Sequence, residues 1–380
     1  MTKDNTKYIP LANPIIHKKV KEYVCKAIDN KALSGTYGIY INLFEKQFAN
    51  YIGAEFAVST TNGTNALHTA LVALNIGIGD EVLVQSLTNM ATAFAVSYTG
   101  AKVIPVDSDI KTGNINPNLI DSMVNIKTKA ILVVHLFGHP VDMDAVLSVA
   151  NKHNLLVIED CAEAHGAKYK GRHLGTLGDI GCYSFYANKI LSTGEGGMVV
   201  TNDHNLAKEC NSIKNLRYGS INKFNHAKIG FNYRMSNLTA AIGCAQLENI
   251  AKVIEKKRYV ASRYNSLLKD LKYLTLPIEQ NYAYSVYWVY HVVCTNSLIG
   301  KRNKLMNALT KRKIETRESF WPINRQKAYK DEIAGKENFD CPIANFIGEN
   351  GFYIPSGPDI TDDEINRVSN AIYSSIEEVN

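Results

Sequence analysis

Short apolar runs alternate with helical segments between residues 81 and 158 of the 380-residue chain. The predicted strands are residues 81–84, 103–106, 130–135 and 155–158, and the helices between them are residues 91–98, 120–125 and 141–153. Continuous apolar strands that are separated by helices are typical of a parallel sheet covered on both faces. We therefore expect an α/β fold in which ligands bind beyond the carboxyl ends of the strands.

Two acidic residues, Glu159 and Asp160, directly follow the last of these strands. A carboxylate at the end of a buried strand is costly unless it meets a cation or hydrogen-bond donors. Asp160 is therefore either the partner of a cationic ligand group or a structural helix cap or ion pair. Glu159 is expected to point to the opposite face and to make a structural contact.

A lysine, Lys189, stands between an apolar aromatic run and a glycine-rich turn. Residues 180–186 precede it, and residues 193–197 lead into a predicted strand at 198–200. A lysine held near strand ends, partly out of water, has a pKa below the usual value of about 10.4 and a nucleophilic amine. Imine formation with a carbonyl, above all with pyridoxal 5'-phosphate (PLP), most needs such an amine. A solvated lysine on a hairpin is the alternative.

A Gly/Thr turn precedes a predicted helix at residues 66–74. The turn contains Gly63, Thr64 and Asn65, and we expect Thr64 or Asn65 to cap the helix. Free backbone N–H groups and the positive end of the helix dipole suit a phosphate. Because most capped helices bind nothing, this turn gains meaning only from the motifs around it.

Charge and cysteine content exclude several classes of protein. The net charge of +6 is too small to indicate nucleic-acid binding, and no apolar run reaches the roughly 18 residues that span a bilayer. Seven scattered cysteines, an odd number, favour reduced thiols over a disulfide framework or a metal site. The amino terminus is polar and resembles no signal peptide. We expect a soluble, cytoplasmic protein without a nucleic-acid or membrane partner.

The chain is expected to form two domains, a large one at residues 1–250 and a smaller C-terminal α+β domain at residues 251–380. A predicted long helix at 238–271 would connect them. Residues 208–234 carry six Lys/Arg residues and one acid, Glu209. This segment is either a solvated face or a basic loop that meets phosphates at a subunit interface.

Six ordered motifs closely resemble those of the DegT-like nucleotide-sugar aminotransferases: residues 62–68, 135–140, 159–166, 184–189, 193–197 and 230–235. This resemblance covers essentially the whole chain. The family consists of PLP enzymes of the aspartate-aminotransferase fold (PLP fold type I), which build amino sugars for surface polysaccharides. Within it the sequence looks most like the perosamine synthases, which aminate C4 of GDP-4-keto-6-deoxymannose. The resemblance implies a large domain with a mainly parallel sheet.

The resemblance also implies a role for each matching residue. Lys189 would hold PLP covalently and act as the catalytic acid–base residue. Asp160 would pair with the pyridinium nitrogen, and Glu163 would lie beside the cofactor ring. The cofactor phosphate would be held by Gly63, Thr64 and Ser184.

Three further residues follow from the same resemblance. Asn232 and Arg234 would reach the cofactor of the partner subunit, so the active form would be a homodimer with shared active sites. Arg317 would contact the diphosphate of the sugar nucleotide, for which a bidentate guanidinium is suited, or would instead make a structural ion pair.

One position departs from the family pattern. The family usually places an aromatic residue on the pyridine ring after the second strand, and this chain has Asn89 there, followed by Met90. A flat amide can pack on the ring, and Met90 can add soft contacts. The departure points to a subgroup that uses a different keto sugar.

The expected reaction moves an amino group from an amino acid, with L-glutamate implied by the family, to a keto sugar. Two alternatives are an aminotransferase that acts on a nucleotide-free keto sugar acid of the octulosonate type and a PLP-dependent sugar dehydratase. Dehydratase relatives carry His at the lysine position, so Lys189 argues against that chemistry. A non-catalytic PLP-binding regulator would carry an added DNA-binding domain, for which we expect no spare length here.

Overall fold

The computed structural model describes residues 7–329 and 339–380. The strands up to residue 201 are β1 (Phe56–Thr60), β2 (Glu81–Gln85), β3 (Lys102–Val106), β4 (Thr128–Val134), β5 (Leu156–Asp160), β6 (Lys168–Tyr169), β7 (Arg172–His173), β8 (Ile180–Ser184) and β9 (Gly197–Thr201). Those that follow are β10 (Leu274–Thr275), β11 (Ala283–Tyr284), β12 (Tyr290–Cys294), β13 (Arg317–Glu318) and β14 (Gly351–Ile354).

Seven strands form one sheet in the order β1-β9-β8-β5-β4-β2-β3. The pairs β8–β5, β5–β4, β4–β2 and β2–β3 are parallel, whereas β9 runs antiparallel to both of its neighbours. A mainly parallel sheet is thus confirmed, and each predicted strand lies within two residues of its expected position. The carboxyl ends of β5 and β8 are adjacent, since Asp160 pairs with Cys182 in the register.

The helices are α1 (Val20–Asp29), α2 (Tyr40–Ile52), α3 (Gly63–Ala73), α4 (Met90–Tyr98), α5 (Pro117–Met123), α6 (Met143–His153), α7 (His204–Lys214), α8 (Asn237–Leu247), α9 (Ile250–Leu268), α10 (Arg302–Lys311), α11 (Pro342–Asn350) and α12 (Asp362–Val379). The predicted single helix at 238–271 is wrong, because α8 and α9 are separate. The backbone N–H of Asn249 donates to the Gln246 carbonyl, three residues back, which interrupts the regular four-residue ladder.

Buried aromatic rings fix the chain at the end of β8. Phe44 and Phe48 project from α2, and their ring centres lie 5.1 Å and 5.4 Å from that of Phe185. All three side chains are fully buried, and burial of each phenylalanine contributes about 1.5–3 kcal/mol. The segment that carries Lys189 therefore starts from a rigid position.

The C-terminal part contains a four-stranded antiparallel sheet in the order β10-β12-β14-β13. A second apolar core lies under it and includes residues of α9, α10 and α12 together with Ile9 from the start of the chain. We keep the division into two domains near residue 250 as a proposal, with the segment around Ile9 packed on the second core. Within residues 7–329 and 339–380, no helix combines the length and apolarity needed to cross a membrane.

Candidate active site

Lys189 lies five residues after β8, in the segment that leads to β9. Its backbone N–H donates to the Tyr186 carbonyl at 2.9 Å, and the turn back to β9 contains Gly194 and Gly196 at positive φ. The side chain is only 11% exposed. Burial lowers the pKa of Lys189, while the nearby carboxylates of Glu163 and Asp160 oppose that shift. The amine is therefore held partly out of water, as the sequence predicted.

An indole ring, that of Trp288, covers the amine of Lys189. The Nζ atom lies 3.9 Å from the centre of this ring, and the indole N–H of Trp288 donates to the Asn188 carbonyl at 2.8 Å. A cation over the face of a tryptophan is stabilised by the ring quadrupole. Sequence reasoning gave Trp288 no role, because a contact between residues about a hundred positions apart leaves no local pattern.

Glu163 is the acidic neighbour of the amine. Its Oε1 atom lies 4.0 Å from Lys189 Nζ, and its Oε2 atom accepts the backbone N–H of Phe137 at 2.8 Å. Burial raises the pKa of Glu163 to about 7, although Lys189 acts in the opposite direction. A carboxyl group with this pKa can hold or release a proton near neutral pH.

Asp160 is buried at the carboxyl end of β5 and is satisfied by neutral donors. Its Oδ2 atom accepts the Thr92 hydroxyl at 2.9 Å, and its Oδ1 atom accepts the backbone N–H of Ala162 at 3.0 Å. Burial raises the pKa of Asp160, and these two hydrogen bonds oppose the rise. In the described ranges no cation lies within ion-pair distance of this carboxylate. A buried carboxylate in this state fits a cationic pyridinium.

Glu159 faces the other side of the sheet, as predicted, and serves the fold. Its carboxylate accepts the backbone N–H groups of Gly175, Leu177 and Gly178, each at 2.8 Å. It also lies 3.1 Å from the Nε2 atom of His135. With all of these partners made, Glu159 is a structural residue.

The start of α3 forms a cradle against the end of β8. A Cβ atom on Gly63 would lie 2.6 Å from that of Ser184, so the backbone can approach Ser184 only because residue 63 is glycine. Within the described residues, the Gly63 and Thr64 N–H groups donate no hydrogen bond. Free N–H groups at a helix start, beside a serine hydroxyl, suit a phosphate.

The cap of α3 differs from the sequence prediction. Asn62, rather than Thr64 or Asn65, is the N-cap, and its side chain accepts the backbone N–H of Asn65 at 2.8 Å. The helix begins one turn earlier than its apolar spacing indicates, since its first residues, Gly63 and Thr64, are not apolar. This earlier start is what places the two N–H groups beside Ser184.

Asn89 and Met90 lie at the start of α4. Asn89 is exposed, and its Oδ1 atom caps the helix by accepting the Ala91 N–H at 3.0 Å. Asn89 thus has a local role that needs no cofactor, and its amide N–H₂ group is not used in this bond. Its contact with the pyridine ring stays a prediction.

Asn232 and Arg234 lie in the segment before α8. Asn232 is exposed and forms an isolated bridge with Asn215. The Nη1 atom of Arg234 is buried but has no hydrogen-bond partner in the described part of the chain. Neither residue lines the cavity beside Lys189.

Two cations of the basic segment 208–234 form ion pairs within the chain. Lys214 is buried and pairs with Glu45 at 2.8 Å, and Arg217 pairs with Glu209 at 2.7 Å, so these two serve the fold. The following loop is exposed and includes Ile221, Phe224 and Ile229.

A cavity of about 300 Å³ opens beside Lys189 and Trp288. Arg317 on β13 lines it with a side chain that is 57% exposed and lies 3.7 Å from Glu315. Lys257 on α9 also lines it but is buried; its Nζ donates to the Ser356 carbonyl at 2.5 Å. Burial lowers the pKa of Lys257 to about 7. Two basic side chains from different elements therefore lie on the wall of one cavity, and the pKa of one of them is near 7.

The residues present fit PLP. Within the part of the chain that the structure describes, a pair of helix-start N–H groups is free to bind its phosphate, and a buried carboxylate without a paired cation suits its ring nitrogen. A desolvated lysine suits its aldehyde. When bound, PLP supplies an electron sink that stabilises negative charge at the carbon bonded to the amino nitrogen.

The chain matches the DegT/DnrJ/EryC1/StrS aminotransferase family over residues 14–373. GDP-perosamine synthase of Escherichia coli O157:H7 is 40% identical over 96% of this chain and 98% of that protein. GDP-perosamine synthase of Caulobacter vibrioides is 39% identical over 96% and 97%. The crystal structure of S. venezuelae DesV in complex with a ketimine intermediate has a TM-score of 0.91 at 31% identity, and the match covers 99% of this chain and 100% of that one. The chain belongs to this family and is a PLP-dependent sugar aminotransferase.

Proposed function

We propose that this member of the DegT/DnrJ/EryC1/StrS aminotransferase family moves the amino group of L-glutamate to C4 of a nucleotide-linked 4-keto-6-deoxyhexose. GDP-4-keto-6-deoxymannose is the proposed acceptor, and the product would enter surface polysaccharide biosynthesis. Support comes from two GDP-perosamine synthases that are 39–40% identical over 96% of the chain. We assign this reaction to the cytoplasm.

The observation that carries the proposal is the placement of Lys189. Its amine lies near both Glu163 and Trp288, beside a cavity of about 300 Å³. In this role Lys189 would take the proton that leaves Cα of the amino acid and would return a proton to C4 of the sugar. Glu163, with a pKa of about 7, would keep the charge near the amine balanced while the proton moves.

Both proposed substrates are anionic, which agrees with the cations of the cavity. Arg317 presents a planar guanidinium, which matches a phosphate or carboxylate with two parallel hydrogen bonds. Lys257 is buried, and a backbone carbonyl is its hydrogen-bond partner. With a pKa near 7, its amine is close to half protonated at neutral pH, and an anion bound nearby would favour the protonated form. We therefore propose that Arg317 binds the diphosphate of the sugar nucleotide and that Lys257 adds to the same attraction.

The active form is proposed to be a homodimer with shared active sites. Asn232 and Arg234 do not line the Lys189 cavity of their own chain, and Arg234 has a buried Nη1 atom without a partner among residues 7–329 and 339–380. The loop before them exposes Ile221, Phe224 and Ile229, and exposed apolar side chains on one loop are typical of a contact surface. In the proposed dimer, this region completes the site of the partner subunit.

A nucleotide-free keto sugar acid of the octulosonate type is the second candidate acceptor. The observation that favours it is Asn89, which stands where the family usually has an aromatic residue. The two candidates share the lysine chemistry and differ in the anion that the cavity must bind, namely a diphosphate or a carboxylate.

A substrate panel tests the proposal. The purified enzyme would be supplied with L-glutamate and with 4-keto-6-deoxyhexoses linked to GDP, UDP or dTDP, and with nucleotide-free keto sugar acids. Release of 2-oxoglutarate would be measured for each acceptor. Turnover with the GDP-linked sugar far above the others supports the proposal. Turnover with the keto sugar acids alone would replace it with the second candidate, and turnover with none of them would contradict both.

A further inference from the structure

We infer that Phe137 is a positioning residue for Lys189, because the backbone of Phe137 holds both Glu163 and Trp288 against the lysine amine. Phe137 follows β4 in the seven-stranded sheet, at a distance of more than fifty residues in sequence from Lys189. The inference rests on the proposed role of Lys189 and adds the reason why the amine has its two neighbours.

The two hydrogen bonds of the Phe137 backbone reach both neighbours. The N–H of Phe137 donates to Oε2 of Glu163 at 2.8 Å. Its carbonyl accepts the backbone N–H of Trp288 at 2.9 Å. Glu163 presents its other oxygen to Lys189 at 4.0 Å, and the Trp288 ring lies 3.9 Å from the same Nζ atom. One residue thus fixes a carboxylate and an indole that meet at one amine.

The backbone of Phe137 adopts a conformation that few residues other than glycine adopt. Its φ is 55° and its ψ is 15°, in the left-handed region. A bulky residue rarely adopts these angles, and it keeps them only when its surroundings hold it there. If φ became negative, the N–H and the C=O would turn away from Glu163 and Trp288, so both bonds depend on this conformation.

The phenyl ring is what keeps the backbone in place. It stacks on His291, with ring centres 4.3 Å apart and planes inclined by 22°, and on Phe320, at 5.7 Å and 18°. His291 lies on β12 of the C-terminal sheet, and Phe320 lies two residues after the end of its strand β13. The ring therefore joins that sheet to the Lys189 site.

Gly138 permits the close approach that this junction needs. A Cβ atom there would lie 2.8 Å from Val286 Cγ2 and 3.0 Å from the backbone nitrogen of Trp288. The Gly138 carbonyl accepts the Val286 N–H at 3.1 Å. The chain before β12 therefore runs directly along residues 137 and 138. These backbone contacts position Trp288 beside Lys189.

A double-mutant cycle between Phe137 and Glu163 tests the inference in the cofactor-free full-length protein. The pKa of the Lys189 amine would be measured from the pH dependence of its acylation by a dilute amine-selective reagent, followed by peptide mass spectrometry. E163Q removes a negative charge beside the amine and should lower this pKa, while Asp160 stays in place in every variant. F137G removes the phenyl ring. Glycine can adopt the φ and ψ of residue 137 without strain, but nothing then holds the backbone at these angles. In the F137G background, E163Q should lower the pKa by less than half as much as it does in the wild-type background.

Two controls separate positioning from general destabilisation. F137Y keeps the stacked ring and should show the full effect of E163Q. F56A removes a half-buried phenylalanine of the edge strand β1 whose ring centre lies 5.4 Å from that of His204, and it should show the full effect as well. If F137G does not fold, F320A removes one face of the stack instead and should also weaken the effect.

An equal E163Q shift in the wild-type, F137G and F320A backgrounds would overturn the inference, and so would the absence of any shift in the wild-type background. Neither result depends on which sugar or amino donor the enzyme uses, since the amine is titrated without cofactor or substrate. A failure of the proposed function therefore leaves this test interpretable.

Discussion

The Nζ atom of Lys189 lies 3.9 Å from the centre of the Trp288 indole. This contact joins the segment after β8 to the segment before β12. It places the amine at a cavity that residues from both parts of the chain line. A lysine in this position is buried enough to have a lowered pKa and still open to a substrate.

Replacement of Lys189 should abolish the reaction. We expect K189A to lose at least about 10⁴-fold in turnover, since covalent anchoring and proton transfer depend on one amine. Release of 2-oxoglutarate from L-glutamate measures the loss. Borohydride reduction followed by peptide mapping should show PLP attached to Lys189 in the wild type. K170A is a matched control, because Lys170 also lies over a ring, that of Tyr169, and this variant should stay active. Steady-state transamination by K189A would rule out the mechanism.

The charge of Asp160 should matter more than its hydrogen bonds. D160N keeps the shape of the side chain but removes the negative charge that would face the pyridinium, and we expect kcat to fall about 100-fold. T92V deletes one donor to Asp160 and should cost only about 1 kcal/mol, or roughly fivefold. Steady-state kinetics of the two variants provide the comparison. A D160N enzyme with wild-type kcat would show that Asp160 is only structural.

Lys257 should make stability depend on pH. Its pKa is lowered from 10.5 to about 7 in the folded protein, so between these values the unfolded chain binds the extra proton. The free energy of unfolding should therefore rise with pH from about 7 to 10.5, by at most about 1.4 kcal/mol per pH unit from this residue. Denaturant unfolding of the wild type and K257M across this range measures the difference. Identical slopes for the two proteins would show that Lys257 stays charged when folded.

Shared active sites predict that two inactive variants complement each other. R234A and K189A homodimers should each be inactive, because one lacks the residue given to the partner and the other lacks the amine. Random exchange of subunits gives half hybrids, each with one intact site, so activity should return to about one quarter of the wild-type value. The activity of R234A and K189A refolded together would be compared with that of the two variants refolded separately and then combined, at the same total protein concentration. Full activity of the R234A protein by itself, or of a monomer in analytical ultracentrifugation, would contradict the shared site.

Much of the large sheet could be predicted, because its strands are continuous apolar runs. The helices that connect these strands could be predicted from their apolar periodicity. Lys189 and Asp160 could be singled out for a related reason, since a charged residue next to a buried strand contrasts with its neighbours. Glu159 was separated from Asp160 by the alternation of side chains along a strand. These inferences need only local sequence.

Contacts between distant segments could not be predicted in this way. Trp288 and Phe137 affect the amine through backbone hydrogen bonds and ring stacking, and neither interaction has a sequence pattern. The break between α8 and α9 was missed because Glu248 and Asn249 are compatible with a helix. The Asn62 cap was missed because helix periodicity begins only after the first, non-apolar turn.

Transfer of labelled nitrogen tests the central claim most directly. The enzyme would be incubated with PLP, ¹⁵N-labelled L-glutamate and GDP-4-keto-6-deoxymannose, and the sugar product would be examined by mass spectrometry and by ¹H–¹⁵N correlated NMR. We predict one ¹⁵N atom in the product, bonded to C4 of the sugar, and no labelled product from K189A. An unlabelled sugar recovered unchanged or dehydrated, although the protein is loaded with PLP, would contradict the assignment of this chain to amination of that sugar.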